Sequence, residues 1–266
     1  EGLTVGGASA SGNGGIIQGY RLVQWDLADI CVVVGAIQDL SPLEIQAFNS
    51  LGALGGKTIT EATQVCRPFD ARREGFIYGQ GAGCLILESE ASAKQRGVTL
   101  LAELAGCSLV LDGNHLTNPN PEGEARAMQQ ALQMANLSPG DVDYLNTHGT
   151  SSVLGDEAEI NAIKAVFGEF TANVWLNSTK SVTGHCLTAA GVIEAIATIL
   201  QMNGGFAHPN LNLEQPIDDQ CCFVGQKSHP LNINVAMSNA FGFGGINSSV
   251  VFKQWVETNA QGEMNA

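Results

Sequence analysis

Three short segments of the sequence are dense in polar side chains and are flanked by glycine. They are NTHGTSSVLGDEAE (146–159), NSTKSVTGH (177–185) and NAFGFGGINS (239–248). Glycine beside histidine or an aromatic residue permits tight turns and lets the backbone approach a ligand closely. A lone histidine next to glycine is more often structural than catalytic, but His148 and His185 both follow apolar runs and both stand beside threonine and glycine. Together they are the first candidates for catalysis.

A fourth segment, LTVGGASASGNGG (3–15), breaks from a short β-branched run into glycine, alanine and serine, and places Ser9 at the turn before a predicted helix. A serine there could be a nucleophile, a spacer, or a replacement for another nucleophile. The flanking residues lack the G-x-S-x-G pattern of hydrolases, and no nearby base can be assigned to activate the hydroxyl. A hydrolytic serine is therefore disfavoured.

Short runs rich in Val, Ile and Leu alternate with amphipathic segments, a pattern typical of βαβ units around a buried sheet. The predicted strands lie near residues 2–6, 30–35, 83–89, 100–110, 142–146, 173–177, 233–237 and 247–253. The predicted helices cover 10–24, 41–48, 91–96, 122–136, 155–167 and 186–203. The strand, turn and helix around Ser9 are echoed by those around His185. The echo predicts a duplicated α/β fold with the site between its halves.

Composition excludes several classes of protein. The 266 residues carry a net charge of −14 with only 12 Lys and Arg, which argues against binding nucleic acid. The one basic cluster, Arg67, Arg72 and Arg73, would either meet an acidic partner or lie in a solvated loop.

No run approaches the roughly 18 to 20 uninterrupted apolar residues of a membrane helix, and no secretion signal is recognised, so we expect a cytoplasmic protein. The seven cysteines, an odd number mostly in apolar runs, are interpreted as buried free thiols: Cys31, Cys66, Cys84, Cys107, Cys186, Cys221 and Cys222.

Taken in order, the polar segments resemble those of the β-ketoacyl synthases of the thiolase superfamily, the condensing enzymes of fatty acid and polyketide assembly. The matching motifs are RPFDARREGF (67–76), HGT (148–150), KSVTGH (180–185) and NAFGFGG (239–245). The similarity extends from residue 1 to about residue 255.

The resemblance implies an α/β fold in which two βαβαβ halves form a layered α-β-α-β-α sandwich. Residues 1–99 would be the back part of the N-terminal half, and residues 100–266 the C-terminal half. The early strands of the first half would be absent, which would leave a sheet edge and one core face uncovered. We therefore expect a separate N-terminal segment or chain to complete the fold.

The resemblance also implies roles for individual residues. His148 and His185 match the pair that faces the thioester carbonyl of a malonyl group. Lys180 matches the lysine near the second histidine, and Glu194 matches its acidic partner; a purely structural ion pair is the alternative. Phe241 is similar to the gating phenylalanine, whose neighbourhood supplies backbone N–H groups to an oxyanion hole.

Further positions match the tunnel that receives pantetheine in this family. The expected substrate-binding residues are Thr117, Thr150, Ser152, Phe241, Gly242 and Phe243, although the two phenylalanines could serve packing alone. Asp156 and Glu159 match acidic positions with a structural role, and His115 is expected to order the turn before Thr117. No metal or nucleotide is expected, since no ligand spacing or phosphate loop is present. The phosphopantetheine would arrive on an acyl carrier protein, the expected partner, and the protein itself is expected to be a homodimer with residues 3–5 near its two-fold axis.

Ser9 departs from the family pattern, in which the turn carries a cysteine within a sequence like Asp-Thr-Ala-Cys-Ser-Ser-Gly. Here the segment 6–12 reads GGASASG, with Ser9 in the cysteine position, 139 residues before His148. A thiol at a helix N-terminus ionises readily and is strongly nucleophilic, whereas a serine hydroxyl needs a base. We therefore expect acyl transfer to be very slow, whereas decarboxylation of a malonyl thioester requires no nucleophile.

The sequence therefore resembles most closely the ketosynthase-like enzymes, with serine for cysteine, that decarboxylate malonyl-acyl carrier protein to acetyl-acyl carrier protein during polyketide β-branching. We expect an enzyme of this kind within the acyltransferase class. Two alternatives stay open: a condensing enzyme that uses Ser9, and a non-catalytic partner subunit like the chain-length factors, which usually lack the histidines. An engineered Cys→Ser change is disfavoured by the altered neighbours Gly6, Gly7 and Ala10.

Overall fold

The computed structural model describes residues 2–37, 39–59 and 61–256. The predicted C-terminal half also includes 257–266, which lie outside the described residues. The helices are α1 (Ser11–Gln24), α2 (Pro42–Ser50), α3 (Ala62–Val65), α4 (Glu90–Arg96), α5 (Pro121–Met134), α6 (Val153–Phe167), α7 (Lys180–Thr183) and α8 (Ala190–Gly204). The strands are β1 (Ile30–Ala36), β2 (Ala82–Glu88), β3 (Ala102–Leu111), β4 (Tyr144–Asn146), β5 (Trp175–Asn177), β6 (Phe206–Ala207), β7 (Cys222–Phe223), β8 (His229–Pro230), β9 (Val235–Gly242) and β10 (Ile246–Gln254).

A six-stranded mixed sheet forms the centre of the fold, in the order β3-β10-β9-β4-β5-β7. Its strands β3, β10 and β9 pair antiparallel, and β9, β4, β5 and β7 pair parallel. Residues of α5 and α6, including Met128 and Ile163, pack with the sheet into one core. A second core joins the sheet to α1 and α8 through Ile16, Ile17 and Val192. Helices therefore cover both faces of the sheet, which explains its continuous apolar strands.

A second, two-stranded sheet lies on the outer side of α1 and α8. It consists of β1 and β2, paired antiparallel with Val32 opposite Ile86. Val33 faces inward into the core formed with α1 and α8. Val32, Val34 and Ile86 point outward and are 60%, 66% and 63% exposed. The layered α/β arrangement predicted from the sequence is confirmed, and the outer face of this small sheet is apolar and uncovered.

The predicted elements mostly agree with the structure, with one clear error. The predicted strand at 2–6 is wrong, because these residues pair with no strand in the described chain. The helix predicted from residue 155 begins at Val153, since the hydroxyl of Ser152 accepts the N–H of Gly155 and caps it. Five short elements, α3, α7 and β6 to β8, were not predicted, because two to four residues show no periodicity of their own.

The segment around α8 is the most apolar helix of the molecule. Within the described residues, Leu187–Gly204 is the one helix long and apolar enough to cross a membrane, and half of it is buried in the fold. Glu194, Thr198 and Gln201 interrupt its apolar surface and are buried. Because the core helix of a soluble protein passes the same test, this is weak evidence for a membrane span.

The arginine cluster fits neither of the two alternatives that the sequence left open, a surface for an acidic partner or a solvated loop. Arg67 is fully buried and its Nη1 lies 3.3 Å from Oδ1 of Asp70. Arg73 donates to the carbonyl oxygens of Ser152 and Val153 at 3.2 and 2.8 Å. Only Arg72 is half-exposed, and it is paired with an acidic side chain. Two of the three arginines therefore organise loops rather than meet a partner.

The cysteines are all free, but only part of the expectation about their burial is correct. Cys107 and Cys186 are buried and Cys84 is exposed, while the other four are partly buried. Cys84 is exposed because it lies on the outer face of β2, beside Ile86.

Substitution of Gly12 should destabilise the protein. A Cβ there would lie 2.7 Å from the backbone nitrogen of Val192 and 2.8 Å from that of Gly191, where α1 crosses the start of α8. Backbone atoms cannot move aside easily, so we expect Gly12→Ala to lower the free energy of unfolding by about 1–3 kcal/mol. Gly6→Ala is the control, since no atom lies within 4 Å of its Cβ position. Urea unfolding of both variants measures the difference, and equal stabilities would contradict the close crossing.

Candidate active site

A cavity of about 450 Å³ opens beside the N-terminal ends of α1 and α8. Nine of the eleven predicted site residues line it: Ser9, Thr117, His148, Thr150, Ser152, His185, Phe241, Gly242 and Phe243. The remaining two, Lys180 and Glu194, are each 1% exposed and do not line it. The fold therefore gathers residues that are up to 234 positions apart into one pocket.

Ser9 lies in a single 3₁₀ turn, Ala8–Ala10, that leads directly into α1. The turn is held by Ser11, whose hydroxyl accepts the N–H of Gly7 at 2.9 Å and donates to the carbonyl of Ala8 at 2.7 Å. Oγ of Ser9 lies 2.9 Å from Nε2 of His185. The serine is thus held at a helix N-terminus, in contact with one candidate histidine.

The hydrogen bond at Nδ1 of His185 determines whether the ring donates to Ser9 or accepts from it. Nδ1 accepts the backbone N–H of Leu187 at 3.3 Å, so the proton of the neutral ring resides on Nε2. The ring packs edge-on against Phe76, with centroids 5.4 Å apart. Phe76 is the last residue of the motif at 67–76, so the end of this motif contacts the site. His185 therefore donates to Ser9 and has no free lone pair with which to take the serine proton.

The ring of His148 also carries its proton on Nε2. Its Nδ1 lies 3.3 Å from Nζ of Lys180, and an ammonium group can only donate, so Nε2 of His148 also carries the proton. The rings of His148 and His185 meet edge to face with centroids 5.5 Å apart. Phe241 packs on His148 at a centroid distance of 5.7 Å. The two imidazoles thus form a pair of N–H donors at the cavity wall.

Burial keeps both imidazoles neutral. Desolvation lowers the pKa of His148 well below its usual value, and the charge of Lys180 and the neighbouring His185 lower it further. Desolvation and Lys180 likewise hold the pKa of His185 well below its usual range. At neutral pH, both rings therefore act as neutral hydrogen-bond donors rather than as acids.

Lys180 and Glu194 form a buried ion pair behind the histidines. Nζ of Lys180 lies 2.5 Å from Oε1 of Glu194 and donates to the carbonyl oxygen of His148 at 2.6 Å. Burial raises the pKa of Glu194, and the adjacent Lys180 opposes that rise. Because Lys180 contacts the backbone and the ring of His148 but does not line the cavity, the geometry favours a positioning role for the pair over direct chemistry.

Two acidic residues, predicted to be structural, hold the loop that carries His148. The carboxylate of Glu159 accepts the N–H groups of His148 and Gly149, both at 2.7 Å. Asp156 accepts the N–H of Thr150 at 3.0 Å. Burial raises the pKa of Asp156 to about 6 and that of Glu159 to about 7, although these backbone hydrogen bonds oppose the rise. The sequence did not reveal that Glu159 bonds directly to the backbone of the catalytic candidate.

The predicted tunnel hydroxyls lie on the cavity wall. Oγ1 of Thr150 donates to Oγ of Ser152 at 3.0 Å, and Ser152 also caps α6. The backbone N–H of Thr117 lies 3.5 Å from Nδ1 of His115, in agreement with the expected ordering of that turn. Thr117, Thr150 and Ser152 thus offer hydroxyl groups along an otherwise largely apolar wall.

The two phenylalanines occupy different positions. Phe241, the predicted gate, is 6% exposed and packs against His148. Phe243 is 37% exposed and lies in the hairpin between β9 and β10, before Gly244 and Gly245, which have φ of 87° and 74°. The geometry gives Phe241 a packing contact and gives Phe243 the exposed position at the cavity wall.

The sequence matches the β-ketoacyl synthase family over most of its length. The profile described as the N-terminal domain of beta-ketoacyl synthase covers residues 2–93, and that described as the C-terminal domain covers residues 101–214. The chain belongs to the β-ketoacyl synthase family, as the motifs indicated.

Two individual proteins of this family are similar to the chain over most of its length. The chain is 45% identical over 248 residues to the "polyketide biosynthesis malonyl-ACP decarboxylase PksF" of Bacillus subtilis strain 168, covering 93% of this chain and 59% of that protein. It is 40% identical over 252 residues to "3-oxoacyl-[acyl-carrier-protein] synthase 2" of Staphylococcus aureus strain COL, covering 93% of this chain and 60% of that one. The chain thus spans about three-fifths of the length of these relatives.

A solved structure shows the same fold. It is the complex AntDE:AntF, described as a type II polyketide synthase acyl carrier protein with its ketosynthase. The match has a TM-score of 0.88 at 35% identity and covers 93% of this chain and 62% of the matched chain.

Removal of Lys180 should destabilise the protein strongly. Lys180→Met leaves the carboxylate of Glu194 buried without its cation, at a cost of about 3–5 kcal/mol in free energy of unfolding. Lys164→Met is the matched control, since its pair with Asp218 is partly exposed and should contribute about 0–1 kcal/mol. The double variant Lys180→Met/Glu194→Leu should regain most of the loss. Denaturant unfolding compares all of them, and a single variant as stable as the control would contradict the buried pair.

Proposed function

We propose that this protein decarboxylates a malonyl thioester carried by an acyl carrier protein and yields the acetyl thioester for polyketide β-branching. The observation that carries the proposal is the 2.9 Å contact between Nε2 of His185 and Oγ of Ser9, together with the N–H of Leu187 at Nδ1 of the same ring. The imidazole donates to the hydroxyl, so the residue at the nucleophile position is not activated. Both histidine donors are nevertheless present in the cavity.

The geometry supports the decarboxylation half-reaction directly. A thioester carbonyl oxygen placed before the Nε2–H groups of His148 and His185 would receive two hydrogen bonds, the one from His185 replacing its hydrogen bond to Ser9. As the bond from the α-carbon to the carboxylate breaks, its electron pair moves toward that oxygen, forming an enolate and releasing CO₂. Donors aimed at such an oxygen each lower the barrier by about 3–4 kcal/mol. The largely apolar cavity also favours neutral CO₂ over the charged carboxylate.

The same geometry weighs against condensation. Attack on an acyl group would require a base to remove the proton of Ser9, and the imidazole in contact with its hydroxyl presents an N–H. The 40% identity to a 3-oxoacyl synthase keeps condensation as the second candidate. Mass spectrometry of the protein after incubation with an acyl thioester separates them, because only condensation requires an acyl group on Ser9.

The carrier protein would deliver its phosphopantetheine along the hydroxyls of Thr117, Thr150 and Ser152. Lys57 is exposed at the rim and is the one basic side chain among the described residues that line the cavity. The names of PksF, a malonyl-ACP decarboxylase, and of the AntDE:AntF complex refer to an acyl carrier protein, which supports the same partner here. A homodimer and a cytoplasmic location belong to this proposal, and the exposed Leu3 ahead of Ser9 offers an apolar surface to a second copy.

The proposal predicts different results for the histidines and the serine. His148→Ala and His185→Ala should each lower the rate of acetyl formation from malonyl-acyl carrier protein by about 10²–10³-fold, because each removes one donor to the enolate oxygen. Ser9→Ala should retain the activity within a few-fold. Mass spectrometry of the carrier measures the loss of CO₂. Undiminished activity in both histidine variants, or no acetyl product from the unmodified protein, would disprove the proposal.

Lys57 allows a test of the carrier contact. Lys57→Glu should raise the KM for malonyl-acyl carrier protein by roughly 3–10-fold at low salt, because a rim charge acts mainly on the encounter with a charged partner. The KM for malonyl-pantetheine, which has no carrier, should not change. Lys227→Glu is the control, as Lys227 is exposed beside a different surface pocket. An equal effect of both variants would exclude docking at this rim.

A further inference from the structure

Glu124 is a buried acid that the mechanism above does not use. It lies in the first turn of α5, is 2% exposed, and lines the same cavity as Ser9 and His148. Its Oε2 atom is buried without a hydrogen-bond partner. From the sequence alone, Glu124 is only an acidic residue in the first turn of the helix predicted at 122–136. A carboxyl group that is buried, unpaired and at the wall of a reaction cavity calls for a chemical explanation.

The groups around Glu124 are acidic. Glu159 and Asp156 approach from α6, and Asp112 approaches from the end of β3. Glu159 is committed as the acceptor of two backbone N–H groups, and Asp112 accepts from the side chain of Asn247 at 2.9 Å. Burial raises the pKa of Glu124 well above its usual value, and the three carboxyl groups raise it further. Burial and the neighbouring carboxyl groups therefore both favour the protonated form of Glu124.

Three other ionisable side chains of the cavity wall, Glu74, His148 and His185, cannot supply a proton as readily. Glu74 lies at the exposed rim, where hydrogen bonds from Thr58 and the backbone of Lys57 lower its pKa and keep it ionised. The neutral rings of His148 and His185 direct their protons to the carbonyl oxygen. Glu124 is thus the acid of the described cavity wall best suited to give up a proton.

We propose that the carboxyl group of Glu124 is the acid that protonates the enolate carbon. The inference rests on the proposed decarboxylation. In this step the electron pair of the enolate forms a C–H bond with the proton of Glu124, the carbonyl of the thioester is restored, and Glu124 becomes a carboxylate. A proton from water entering the open cavity then restores the acid, so one proton is consumed for each CO₂ released.

Proton delivery distinguishes the two fates of the enolate. A condensing enzyme must keep the enolate unprotonated until it attacks an acyl group, whereas a decarboxylase must quench it. An acid in the cavity wall commits the intermediate to acetyl and prevents it from recapturing CO₂. Glu124 and Ser9 would therefore favour the same outcome by separate means, the first by supplying a proton and the second by offering no acyl group to attack.

Deuterium exchange tests this role, because the acid that protonates the enolate must also remove a methyl proton from acetyl in the reverse direction. Acetyl-pantetheine is incubated with the protein in D₂O, and deuterium in the acetyl group is followed by mass spectrometry. Glu124→Gln should slow the exchange by roughly 10²-fold, a typical contribution of a general acid or base. Glu122→Gln, an exposed neighbour on the same turn, should leave the exchange unchanged.

The pH profile of the unmodified protein provides a second readout that needs no variant. Its exchange rate should rise as the pH rises through the raised pKa of Glu124, because Glu124 must lose its proton before it can accept one from the methyl group. If Glu124 has a merely structural role, any rise comes from another group, such as Glu159 with its pKa of about 7, and persists in a folded Glu124→Gln variant. The proposal predicts that the residual exchange of this variant lacks the rise. Exchange by Glu124→Gln within twofold of the unmodified protein, or a flat profile of the unmodified protein, would overturn the proposal.

A failure of the role proposed for Glu124 can be distinguished from a failure of the proposed decarboxylation. If the unmodified protein releases no CO₂ from malonyl-pantetheine, decarboxylation itself is wrong. If it releases CO₂ but Glu124→Gln still exchanges deuterium at the original rate, only the role of Glu124 is wrong.

Discussion

Both imidazoles of the site have their Nδ1 atom occupied by a donor, and the remaining features depend on this constraint. The backbone N–H of Leu187 bonds to His185, and the ammonium group of Lys180 lies against His148. The ring protons are thereby placed on Nε2, on the cavity side, where Ser9 receives one of them. Two fixed neutral donors can stabilise an enolate oxygen, but they cannot activate a hydroxyl group. Loss of CO₂ from a malonyl thioester, the reaction proposed above, needs only such donors.

The surrounding fold maintains this arrangement through buried charge and close packing. Lys180 can be buried because Glu194 on α8 lies 2.5 Å away, and Glu159 holds the backbone of His148 from α6. The crossing of α1 and α8 at Gly12 brings the turn of Ser9 up to the loop of His185. Each donor is therefore positioned by a separate element of the sandwich, and the cavity forms where these elements converge.

The hydrophobic pattern of the sequence was sufficient to predict the alternating α/β fold. The resemblance of its motifs to those of β-ketoacyl synthases predicted nine of the residues that line the cavity. The sequence could not predict contacts that depend on distant backbone atoms. The N–H of Leu187 that determines the tautomer of His185 is invisible in residue type, and so is the burial of Arg67. The predicted strand at 2–6 was wrong because apolar β-branched residues indicate a strand without showing that a partner lies beside it. In the sequence Glu124 is an ordinary acidic residue at a helix start, because nothing local shows that its carboxyl group is buried and feels the charge of three others.

The central claim is that both histidines are neutral and carry their proton on Nε2. Nitrogen-15 NMR of protein labelled in its histidine rings measures this directly, because protonated and unprotonated ring nitrogens have well-separated shifts. The account predicts that His148 and His185 remain neutral Nε2–H tautomers between about pH 6 and pH 8, as their lowered pKa values require. A proton on Nδ1 of either ring, or an imidazolium in this range, would contradict it.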